Sequence, residues 1–375
     1  MRRIIVGHGE ACRRSPGRKE CVALKRSEKG RALGKSDIFP KIQKIFLLAL
    51  IAGVMLCRGG NASADGGWKW VASVELPGPA SRFDYESLDP TTGRLYLAHL
   101  GAGRLVVFDT RTRRVIADLP GFPHAHGVLA VPGLRRVYVT VSPRSNKKIG
   151  HLAVVDAESL RTIALVPTGI HPDGLDYDPV HKRVFVSNEW GKSLSVIDAR
   201  SNRPAGTIPL GGEVGNTRYD PGSSRIYSTV QTRNMLVGID PGTLRIKEKT
   251  PLPCRHPHGL LILPRRRLAF VACETDATLL EVDLSVHRVI GRFPTGKRPD
   301  VLSFDPARNL LFVASESGWV SVFHLTGKKL EKLSEDSLGF RAHSILVDPD
   351  THLLYLPLEN RNGHPRLDIL SWQGD

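Results

Sequence analysis

With 375 residues, 41% of them hydrophobic, the chain can bury a large core, which excludes global disorder. The formal net charge is +16, but residues 1–64 hold 14 Lys/Arg against 4 Asp/Glu, a net of +10, so the rest of the chain carries only +6 and does not read as a dedicated polyanion binder. Five cysteines, three of them (Cys12, Cys21, Cys57) in that first stretch, are too few for a disulfide scaffold.

Residues 1–64 read as a basic leader with a secretion signal. Lys41 and Lys44 precede an apolar run from Ile45 to Leu56, and the small residues Ala62-Ser63-Ala64 follow. About a dozen apolar residues match a signal h-region better than a bilayer span. Cleavage is expected near Ala64/Asp65, leaving residues 65–375 as a mature periplasmic or secreted chain without a membrane span. An uncleaved anchor is the competing reading. The long charged stretch ahead of the h-region also suits a start codon assigned too far upstream. No small residue precedes Cys57 as a lipoprotein signal requires.

The mature chain repeats a short phrase seven times. Its anchors are Asp89-Pro90, Val131-Pro132, Asp178-Pro179, Asp220-Pro221, Leu263-Pro264, Asp305-Pro306 and Asp348-Pro349, spaced 42, 47, 42, 43, 42 and 43 residues apart. Seven residues after each anchor stands an aromatic: Tyr96, Tyr138, Phe185, Tyr227, Phe270, Phe312 and Tyr355. Each copy reads as four short strands. One precedes the anchor, one carries the aromatic, a third ends in Asp in five copies (Asp109, Asp156, Asp198, Asp240, Asp283), and a fourth is more polar. Four strands in about 42 residues predict a β-propeller blade. Seven copies predict an all-β, seven-bladed propeller in one domain. The last copy lacks a fourth strand, and Trp70–Gly78 resembles one, so the N-terminal strand is expected to complete the last blade and close the ring.

Phe185-Val186-Ser187-Asn188, Tyr138-Val139-Thr140-Val141 and Tyr96-Leu97-Ala98-His99 resemble the Tyr-Val-Thr-Asn tetrapeptide of the YVTN family of β-propellers, of which exported bacterial YncE-like proteins are members. The resemblance spans about residues 68–375. It implies the propeller fold and export, and implies little about activity.

In a propeller the first strand of each blade lines the central channel, and the loop entering it lies at the upper mouth. Five residues before the anchors stand Asp84, His126, Asp173, Gly215, His258, Asp300 and His343, with Asn216 replacing Gly215 if the fourth copy is shifted by one. Two residues earlier stand Arg82, His124, His171, Glu213 (or Val214 on the same shift), His256, Arg298 and Arg341. These two columns predict two polar rings around one axis. Imidazole and carboxylate together suit a transition metal, with His126, His258 and His343 the expected ligands of a divalent ion. The Arg82, Arg298 and Arg341 rim suits a carboxylate or phosphate. Turn-stabilising side chains or a water-filled channel explain the same residues without any ligand.

A third column, eleven after each anchor, reads Leu100, Ser142, Glu189, Gln231, Glu274, Glu316 and Glu359. Its carboxylates suit acid–base work, or serve as rim partners for the neighbouring Arg and His. Strand pairing across the Pro264–Arg267 turn is expected to match His258 with Cys273 and bring Cys254 near. A disulfide, a soft-metal cluster of Cys254, His256, His258 and Cys273, or two plain thiols remain open. The basic insert Arg144–Lys148 suits an anionic surface or nucleic acid, or a solvated loop, and the modest mature charge favours the loop. No nucleophile elbow, phosphate-binding glycine loop, haem motif or His-Glu-x-x-His helix is present. The sequence thus points to an exported binding or interaction module for a small molecule, metal or protein at the upper face. A metal-dependent, lactonase-like hydrolase or lyase on the same ring is the alternative, and nucleic-acid or anionic-ligand binding the third.

Overall fold

The computed structural model describes residues 67–143 and 148–374. The predicted leader, its cleavage site and most of the basic insert fall outside the described residues. Seven antiparallel sheets of four strands each follow one another along the chain. In blades one to six the strands pair in sequence order, inner to outer. Blade seven is built from both ends: Trp68–Glu75 pairs antiparallel with His364–Trp372, with Trp68 opposite Trp372 and Val74 opposite Leu367. The ring therefore closes as the missing strand predicted. Among the described residues no helix is long and apolar enough to cross a membrane.

The repeated phrase has a physical cause at each position. The anchor aspartates accept backbone N–H bonds from the turn that follows them: Asp89 from Thr91, Asp178 from Val180, Asp220 from Gly222 and Asp305 from Ala307. The aspartates ending the third strands do the same, as Asp109 does for Thr112 and Asp198 for Ser201. All seven aromatics are at most 1% exposed and pack between neighbouring blades. The fourth residue after every anchor is left-handed, yet only Gly93 is a glycine there; Arg135, Lys182, Ser224, Arg267, Asn309 and His352 accept the same strained backbone.

Arginines near these lower turns fasten one blade to the next. Arg94 donates to the Ala157 carbonyl, Arg136 to that of Ala199, Arg183 to that of Pro241 (2.5 Å), Arg266 to that of Leu325 (3.1 Å) and Arg308 to that of Trp372 (2.5 Å). Part of the basic excess is thereby structural.

Candidate functional site

The inner strands share one irregularity, and it shapes the site. In blades two to six their register with the second strand slips between the sixth and third residues before the anchor, as between Pro257 and Leu260 in blade five. This bulge falls on the predicted ring residues. It also corrects the expected pairing: Cys273 lies opposite Pro257, not His258. The residue after the ring position is glycine in blades two, three and five because the next blade crowds it, with backbone against Gly127 and Gly259 and with the Asn216 side chain against Gly174. A Cβ on Gly259 would lie 1.9 Å from the Asp300 carbonyl oxygen, and one on Gly127 2.3 Å from that of Asp173.

Asp84, Asp173, Asp300, His258 and His343 are buried, and the His126 side chain is 11% exposed. His126 Nδ1 lies 2.7 Å from Asp84 Oδ2, and 3.9 Å from Asp173 Oδ1. His258 Nε2 lies 3.5 Å from both Asp173 and Asp300. His343 Nε2 lies 3.9 Å from Asp84 Oδ1. The ring is a circuit of alternating carboxylates and imidazoles. Its fourth member is irregular. The backbone of the fourth copy stays in register, with the Gln231 N–H bonded to the Glu213 carbonyl just as that of Glu189 is to His171, so Gly215 occupies the ring position. Asn216 reaches the axis from the next residue.

Tyr85, absent from the sequence reading, explains why Asn216 matters. From the equivalent position in blade one it spans the channel. Asn216 Nδ2 donates to its hydroxyl (2.5 Å), which in turn lies 3.4 Å from Asp300 Oδ1 and 3.4 Å from His258 Nε2. Its ring packs in one cluster with Val128 and Val301. Tyr85 therefore floors the upper site and separates it from a cavity of about 200 Å³ that reaches Glu86, Asp176 and Arg218 below. The column Tyr85, Gly127, Gly174, Asn216, Gly259, Val301, Ser344 held the signal: one aromatic among mostly small residues.

The outer ring forms a collar of polar pairs with the third column. Arg82 Nη1 bonds Glu316 Oε1 at 2.6 Å, and His171 Nε2 lies 3.2 Å from Glu189. His256 Nδ1 lies 3.2 Å from Glu274, and Arg341 lies 3.7 Å from Glu359. The third column thus supplies partners for the second. His171 stacks on Trp190 at 3.7 Å and meets His126 edge-on at 4.6 Å. Five of the outer ring, His124, His171, His256, Arg298 and Arg341, are left-handed, turning the chain down into the channel. Arg298 is exposed and Glu213 half-buried.

Burial and mutual charge set the protonation of the site. Burial opposes the charge on Asp84, but the His126 hydrogen bond, with Arg82 and His343 nearby, holds it well below the usual carboxylate range. Burial also opposes a charge on His258, yet Asp300, Glu274 and Asp173 together raise it to about 10. Burial pushes Asp300 up to about 6, partly offset by His258 and His343. Burial, and then Asp173, raises Glu189 to about 7. Burial and the charge of His126 lower His171 to about 3.

Cys254 and Cys273 are joined as a disulfide, with Cα atoms 6.2 Å apart. A soft-metal cluster of Cys254, His256, His258 and Cys273 is thereby excluded, since both sulfurs are committed to each other. The three histidines expected to share a metal do not meet. Among the described residues the groups able to hold an ion are Asp84/His126/Asp173 and Asp84/Asp300/His343, each with one imidazole and two carboxylates.

No family model matches the chain, and no curated protein matches it in sequence. Its likeness to known proteins is one of shape. A chain of hydrazine synthase from Kuenenia stuttgartiensis superposes with a TM-score of 0.66 at 16% identity, over 81% of this chain and 98% of that one. A chain of a mitotic checkpoint complex superposes with a TM-score of 0.67 at 13% identity, over 90% and 99%. At such identities the likeness shows the β-propeller fold alone, and function rests on the site.

Proposed function

We propose that this chain is an exported, YVTN-like binding propeller that takes a small polar ligand at its upper mouth. One observation carries the reading: the polar side chains converge on a cup floored by Tyr85, and several of their buried atoms have no hydrogen-bond partner among the described residues. These are His126 Nε2, His343 Nε2, Asn216 Oδ1, Gln231 Oε1, Ser142 Oγ and Glu359 Oε1. Each such atom costs about 1–3 kcal/mol unless something bonds it. The collar already neutralises Arg82 and Arg341 with Glu316 and Glu359, so the ligand offers both donors and acceptors rather than negative charge alone. The disulfide supports export, because it is maintained in an oxidising compartment. A propeller chain in a multi-protein checkpoint complex is consistent with the fold serving as an interaction platform.

Catalysis has less support. Ser81 Oγ lies 3.0 Å from His99 Nε2, but His99 Nδ1 has no carboxylate to orient it.

The test is thermal denaturation of the purified chain, kept in chelator, against amino acids, dicarboxylates, phosphate and amines. A binding class raises Tm with concentration, and the Arg82→Ala and His171→Ala variants remove that rise. A panel that leaves Tm unchanged throughout sinks the reading.

A further inference from the structure

Of the two groups able to hold an ion, one is partly committed. His126 Nδ1 and Asp84 Oδ2 share a 2.7 Å hydrogen bond, so a metal using those two atoms would have to displace it, although His126 Nε2 is unpartnered. The other group is prepared differently. His343 Nδ1 lies 2.9 Å from the Arg341 carbonyl oxygen, an acceptor only, so Nδ1 is the donor there. Nε2 is the nitrogen left to face the cup. The residue is 1% exposed, and this nitrogen makes no hydrogen bond. It points at Asp84 Oδ1, 3.9 Å away. A metal-binding histidine characteristically has its second nitrogen fixed by a backbone carbonyl in this way.

We propose that Asp84, Asp300 and His343 form a site for one divalent first-row transition-metal ion at the channel axis. The proposal deepens the binding reading above, since the site lies in the same cup. One ligand atom from each residue lies within 4.8 Å of the others. Bonds of about 2.0–2.2 Å to nitrogen and oxygen bring such atoms to roughly 3 Å apart, a movement of side chains alone. Two carboxylates and one imidazole suit zinc, manganese or cobalt better than a soft ion. Asp84 is also held by His126 through its other oxygen, and Asp300 faces His258 at 3.5 Å. Both histidines orient the carboxylates from behind. Three protein ligands leave coordination positions open toward the cup.

The experiment uses the full purified chain, stripped with chelator and titrated with Zn²⁺ by calorimetry and with Co²⁺ by absorption spectroscopy. The expected result is one ion per chain and a cobalt d–d band. His343→Ala and Asp300→Asn each weaken binding at least about tenfold, whereas a change at the exposed Glu158, Glu158→Gln, binds as wild type. Asp300→Asn preserves shape, so it decides the matter if His343→Ala fails to fold. Absence of stoichiometric binding, or undiminished binding in folded Asp300→Asn, overturns the site. The ligand panel in chelator fails independently, so the two readings can be lost separately.

Discussion

The two mouths of the channel are made from the two ends of the same inner strands and are built to opposite rules. At the lower mouth each polar side chain has a local duty. Anchor aspartates close turns, and arginines reach the next blade's carbonyl, as Arg136 does to Ala199. At the upper mouth the polar side chains face one another across blades. Arg82 in blade one meets Glu316 in blade six, and Tyr85 meets Asn216 in blade four. Several atoms there remain unpartnered. Sevenfold repetition makes the lower turns much alike, whereas the polar rings of the upper mouth differ from blade to blade.

The largest expected effect tests how firmly the upper loops are held. The disulfide closes a stretch of 19 residues in sequence that contains His256 and His258. A Cys254→Ser/Cys273→Ser double variant should lose about 3 kcal/mol on the loop-closure argument. Denaturant titration checks this, and reductant should bring wild type to the same midpoint. If hydrogen exchange then accelerates equally at both faces, the distinction between them is blurred. A smaller effect is expected below. Arg136→Ala removes a charged donor from the Ala199 carbonyl and from Asn202 (2.9 Å), and should cost about 1–2 kcal/mol. Cobalt binding should be unchanged in that variant, and a loss of binding would show that the faces are coupled.

The smallest effect concerns a buried carboxyl belonging to neither mouth. Burial, then the charge of Asp283, pushes Glu281 up to about 7. Its neutral form is the one the fold favours. The contribution to stability is therefore present below the unfolded value of about 4.5 and is lost as pH rises to about 7. Glu281→Gln should match wild type at pH 4 and exceed it by about 1 kcal/mol at pH 8, read from melting curves at the two pH values. A gain at pH 4 instead would point to packing rather than charge.

Much of this protein is legible without coordinates because repetition turns local chemistry into a ruler. Asp-Pro turns and interior aromatics recur at fixed spacing, and counting from them locates the two polar rings. What escapes the ruler is any departure from regular pairing. The bulge in the inner strands moves Cys273 from His258 to Pro257, since one extra residue on one strand is invisible in spacing. Asn216 belongs to the axis, but by its own route and not through a shifted repeat.

The sequence by itself determined the blade count, the closure by the N-terminal strand and the residues that face the upper mouth. These depend on periodicity and on interactions within a few residues. Only the tertiary structure decided that Tyr85 floors the site, that the third-column glutamates pair with the outer ring, and that, among the described residues, each group able to hold an ion contains one of the expected histidines and not all three. The first depends on Tyr85 and Asn216, 131 residues apart, meeting on one axis. The left-handed Arg135, Lys182 and His352 show the opposite case: the hairpin turn each closes demands that backbone whatever residue stands there.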